Sequence, residues 1–121
     1  MPLRIVGSVY LLSAIWCFFQ PEMASQGLGI QWLASHGKVE FLSVYGGLQL
    51  GLAVAMLSVS FMPKLLLGGV FFSTVFSTVL AFCRLILVLT APMHTMLLSL
   101  LVIELVIAAF LFWYWRRIRL G

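Results

Sequence analysis

Long apolar runs separated by short polar breaks dominate this chain. The first covers residues 3–20 and gives way at Pro21-Glu22. The second covers residues 39–62 and is halted by Pro63-Lys64; the third covers 65–89 and stops at Thr90-Ala91-Pro92. The fourth covers 93–115 and is closed by Arg116 and Arg117. A hydrocarbon layer about 30 Å thick is crossed by roughly 20 helical residues rising 1.5 Å each, and every run is near that length. No stretch sustains the alternation of a membrane strand. The pattern predicts one domain over residues 1–121, an all-α membrane protein built as a four-transmembrane-helix bundle. Its only long connection, residues 21–38, sets Met23, Leu28, Ile30, Trp32 and Leu33 among Ser, Gln and Gly. That mixture predicts a short helix or re-entrant piece at the interface, anchored by Trp32. The other breaks are tight, so the second, third and fourth spans are antiparallel to their neighbours.

Composition strengthens this picture. The chain is 64% hydrophobic and 8% charged, against roughly 25% charged in a soluble domain. The net charge of +4 would fit nucleic acid only if it formed a stripe on one face. Instead the basic residues stand at span ends, which excludes nucleic acid and points to orientation. Arg4, Lys64, Arg116, Arg117 and Arg119 fall on one side and Lys38 on the other, which predicts both termini in the cytoplasm. Trp113, Tyr114 and Trp115 then form the inner aromatic belt. The first span resembles a signal peptide, but Cys17-Phe18-Phe19-Gln20-Pro21 is bulky where a peptidase needs small side chains, and it reads as a retained span.

Three ionisable residues lie in or at the edge of the apolar runs: Glu40, Arg84 and Glu104. An ionised group at the bilayer centre costs on the order of 3 kcal/mol on insertion scales, so each requires pairing, water or a function. Glu104 falls 12 residues from both Pro92 and Arg116, near the midplane, and Arg84 lies about 9 Å inside the outer surface. Two long side chains can close the remaining axial gap. An arginine pointing outward would meet Glu40 instead. Ser77 lies seven residues before Arg84, with Ser73 and Thr74 on nearly the same face. Tyr45 falls at the depth of Arg84 and Gln49 deeper, so these residues can line a polar pocket opening outward. The same charges serve equally well as a plain fastener between helices.

Ser43, Gly47, Gly51 and Ala55 recur at four-residue intervals, a register that lets two helix backbones approach closely, within this chain or in a second protein. His36, Glu40, His94 and Glu22 could converge near the outer surface, but two histidines without a tight motif read as solvated loop residues, and no metal is expected. Cys17 and Cys83 read as apolar fillers or, since both approach the outer ends of their spans, as a disulfide. No Walker motif, HExxH, Gly-x-Ser-x-Gly or deep bis-histidine haem pair occurs. No cofactor and no catalytic set is therefore expected.

The segment Glu40-Phe-Leu-Ser-Val-Tyr45-Gly46-Gly47-Leu-Gln-Leu-Gly51, with Arg84 late in the third span and Glu104-Leu105 inside the fourth, resembles a family of small bacterial four-helix membrane proteins in the DoxX-like superfamily. The resemblance covers most of the chain, although the turn Thr90-Ala91-Pro92-Met93-His94 departs from the polar, Gly-containing turn usual there. It implies a four-helix bundle in the bacterial inner membrane. Relatives are associated with quinone-linked oxidoreductase complexes, and a similar small fold serves as a scaffold in sterol synthesis. The expected function is a non-catalytic accessory or scaffold subunit, binding membrane lipids or a quinone around Arg84, with a membrane-protein partner or a second copy of itself. The alternatives are a small proton-coupled transporter using Glu104 and a lipid-modifying enzyme. Four-helix exporters, however, carry their acid in the first helix, and this first helix has none.

Overall fold

The computed structural model describes residues 2–90 and 95–120. Proline and glycine set most of the element boundaries. Helix α1 runs from Pro2 to Phe19. Gln20 then leaves the helical region with φ −133° and ψ 60°, consistent with the bar to helical backbone before a proline, and Pro21 opens α2 (Pro21–Gly27) at a position where its missing N–H is not needed. Helix α2 ends in a Schellman turn. Gly29 adopts φ 75°, its N–H donates to the Gln26 carbonyl (3.0 Å), and the Ile30 N–H donates to that of Ser25 (2.8 Å). The long connection thus contains a short helix, as expected.

Helix α3 covers Ser35–Val59 and starts four residues before the apolar run. Its stretch Leu42–Leu48 is a π-helix. Helix α4 covers Pro63–Val88 and α5 covers Thr95–Leu120. A turn whose Met62 N–H reaches the Val59 carbonyl (2.9 Å) leads into α4, here with an extended residue ahead of the proline. Helices α1, α3, α4 and α5 are each long and apolar enough to cross a membrane, and no strand occurs among the described residues. Outward side chains such as Val102, Ile103, Val106 and Phe112 are largely bare. The chain is an all-α, multi-pass membrane protein.

Two compact units divide the chain: Arg4–Ser58, and the part from Val59 onward together with Pro2 and Leu3. In the first, α1 and α3 run antiparallel. A Cβ on Gly7 would stand 3.1 Å from Leu57 Cγ, and one on Gly46 would stand 2.8 Å from the Phe18 ring. At the Phe18 end, Cys17, Ala24 and Phe41 form a buried cluster covered by Leu28, Ile30, Trp32, Leu42 and Tyr45. In the second unit, α4 and α5 run antiparallel, Arg84 meeting Glu104 at one level and Phe71 meeting Trp115 (5.6 Å between ring centroids) at another.

The buried stripe of α4 passes through Val70, Thr74, Ser77, Ala81, Arg84 and Val88. That of α5 passes through Leu101, Glu104, Ala108 and Leu111. Steps of four and three alternate in both, the spacing that keeps one face of each helix toward its neighbour.

Candidate functional site

These two stripes bring together one basic and one acidic side chain in surroundings that are otherwise apolar or hydroxylic. Arg84 Nε donates to Glu104 Oε2 at 2.7 Å, and the two side chains keep 23% and 13% of their exposure. Glu104 stands nine residues after Thr95 and sixteen before Leu120, about 14 and 24 Å from the ends of α5. Charge-assisted contacts this short are the strong class of hydrogen bond. Arg84 carries five N–H donors. Among the described residues only its Nε–H has a partner, so both terminal amino groups keep donor capacity.

Hydroxyls continue the stripe below the ion pair. Thr74 Oγ1 donates to the Val70 carbonyl of the preceding turn at 2.7 Å and is thereby satisfied within α4. Ser77 Oγ is buried and has no hydrogen-bond partner among the described residues, an orphan worth about 1–3 kcal/mol unless something meets it. Gln49 Oε1 is a second such orphan, in the first unit.

Most of the remaining candidates belong to the first unit. Tyr45 is engaged in an aromatic stack, its ring 4.9 Å from Phe41, which in turn lies 5.8 Å from Trp32. Trp32 therefore packs inside the first unit, against Phe41 and over Gly37, where a Cβ would come within 2.6 Å of it. Glu40 lines a cavity of about 430 Å³ in the first unit with His36, Trp32 and Tyr45. Glu22 pairs with Lys38 at 3.3 Å. The Glu22 carboxyl is held below the ordinary value of 4.5, first by a hydrogen bond from its own backbone amide and then by the Lys38 ammonium. His94 lies outside the described residues. Cys17 is buried, Cys83 is exposed, and both are free thiols.

Ser43, Gly47, Gly51 and Ala55 are all exposed, and nothing lies within 4 Å of a Cβ built on Gly51. The close-approach glycine of α3 is Gly46, one position along. The π segment is the reason. Its wider turn moves the buried stripe five residues at once, from Phe41 to Gly46, before the α-helical spacing resumes through Ala53 and Met56.

Sequence reasoning also passed over two cation–π contacts near the end of α5. The Arg117 guanidinium lies 5.4 Å from the centre of the Trp113 ring, and that of Arg119 lies 4.6 Å from Trp115. Their i, i+4 spacing was the available clue. The chain matches no family model, no curated protein and no solved structure.

Proposed function

We propose that the protein is a non-catalytic accessory subunit of a bacterial inner-membrane assembly, and that it holds a lipid or a quinone beside Arg84. The observation that carries this reading is the Arg84–Glu104 pair, partly exposed and far from the ends of α5. An intramembrane charge of this kind persists where it serves a ligand or a partner. The carboxylate anchors one edge of the guanidinium, and the amino groups left over are suited to a quinone carbonyl or a phosphodiester oxygen. The bare face of Ser43, Gly47, Gly51 and Ala55 suits a helix of another subunit. The resemblance to DoxX-like proteins, whose relatives are associated with quinone-linked complexes, favours the same class.

Gentle purification with endogenous lipids, followed by mass spectrometry of the intact complex, tests the proposal. A stoichiometric protein together with a retained lipid or quinone supports it, and Arg84→Leu should lose the small molecule while keeping the helices. Recovery of the bare chain, or retention unaffected by Arg84→Leu, would count against it. The position of Glu104 within α5 also favours a second reading, a proton-coupled transporter. Proton flux in proteoliposomes that is abolished by Glu104→Gln would select it.

A further inference from the structure

We infer that the C-terminal end of α5 carries a binding site for the phosphodiester headgroup of an anionic phospholipid, built by Arg116 and Arg117 on an aromatic floor. Phe112, Trp113, Arg116, Arg117 and Leu120 line a cavity of about 340 Å³. Along α5 the Phe112 and Trp113 rings lie on the span side of the two guanidiniums, and Leu120 follows them. Guanidiniums with rings on their span side match a lipid, whose phosphate is followed by its glycerol and acyl chain.

Three further observations point the same way. The chain has seven basic and three acidic side chains. Two of the acids are engaged elsewhere, Glu104 with Arg84 and Glu22 with Lys38. The third, Glu40, lines the cavity of the other unit. Arg116, Arg117 and Arg119 thus have no carboxylate partner among the described residues, and their charge is open to an anionic partner.

Next, Arg117 is drawn back over Trp113, four residues earlier in the helix. Arginines at the end of a membrane helix commonly extend away from the hydrocarbon. Here the indole keeps the guanidinium at the level of the aromatic belt, the depth of lipid headgroups. A guanidinium above an indole still presents its N–H edge, and that edge matches two phosphate oxygens. Finally, Arg119 is held over Trp115 in the same way, which places a third positive charge beside the site and favours a net-anionic headgroup over a zwitterionic one. This site is separate from the one proposed at Arg84.

Trp16→Phe/Trp32→Phe protein, which keeps only Trp113 and Trp115, is reconstituted in bilayers containing equal fractions of phosphatidylglycerol and phosphatidylcholine. One lipid at a time carries brominated acyl chains that quench tryptophan fluorescence. Quenching by brominated phosphatidylglycerol should exceed that by brominated phosphatidylcholine, and Arg116→Gln/Arg117→Gln should abolish the difference. Each arginine should account for about a five-fold preference, the usual strength of one basic residue at an anionic surface. Equal quenching by the two lipids in the parent protein would overturn the inference.

Added inorganic phosphate at millimolar concentration should leave the preference intact. Its complete displacement by free phosphate would make this an ion site and overturn the assignment to lipid. The unsubstituted chain, titrated in detergent with each lipid and followed by intact-complex mass spectrometry, gives the second readout in case the tryptophan replacements disturb the fold. Phosphatidylglycerol adducts should outlast phosphatidylcholine adducts, and should do so equally in Arg84→Leu. Equal survival of the two kinds of adduct would again overturn the inference.

Discussion

At the scale of single residues the decisive feature is Arg84 against Glu104. Removing one member of a buried pair typically costs about 3–5 kcal/mol, while replacing both by apolar residues can be nearly neutral. Arg84→Leu and Glu104→Leu should each destabilise, and the double variant should be milder than their sum. Arg84→Leu should be the gentler single change, because a stranded carboxyl can bind a proton whereas a stranded guanidinium cannot lose one. Denaturation of all four proteins in detergent measures the coupling, and strict additivity would show that the 2.7 Å contact carries no energy. Glu22 offers a smaller test. Its folded-state carboxyl titrates below 4.5, so its contact with Lys38 favours the folded state above that pH and is lost as pH falls through the lowered value. Carboxyl titration by NMR should place its midpoint below 4.5, and Lys38→Ala should raise it.

At the scale of elements the sequence was legible wherever proline, glycine and hydrophobic length set the boundaries. Pro21, Pro63 and Gly29 each stand where the chain requires a non-helical preceding residue or a positive φ. The π segment of α3 was not legible. A reading at 3.6 residues per turn places Gly47 and Gly51 on the packing face, whereas a single widened turn places Gly46 there. Gly46→Leu should therefore destabilise the first unit by about 1–3 kcal/mol, the usual cost of overpacking, since its side chain enters the Phe18 ring. Gly51→Leu should leave the isolated protein within about 0.5 kcal/mol, and should weaken recovery of a partner if the bare face meets a second protein. Thermal unfolding of the two variants, with co-purification alongside, separates the roles. A larger loss for Gly51→Leu than for Gly46→Leu would reverse the assignment.

At the scale of the whole molecule, the distribution of basic residues makes a claim about orientation. Five basic residues stand on one side of the spans and one on the other, so a reporter fused after Gly121 should read cytoplasmic. In a background with Cys17→Ala and Cys83→Ala, Gln26→Cys on the exposed side of α2 should react with an impermeant thiol reagent from outside. An external C-terminal reporter would refute the orientation. Reading the residues alone is enough to establish that the chain needs lipid, that it has four spans long enough to cross it, and that an arginine and two glutamates stand where charge is costly. Those conclusions follow from composition and run length, because hydrocarbon tolerates few charges and only backbones that satisfy their own hydrogen bonds. Folding is what pairs Arg84 with Glu104 and stacks Tyr45 on Phe41. It also exchanges Gly47 for Gly46 at the packed face, through one widened turn of α3. Partner choice depends on which stripes face one another and at what level, and a shift of one residue turns a helical side chain by about 100°.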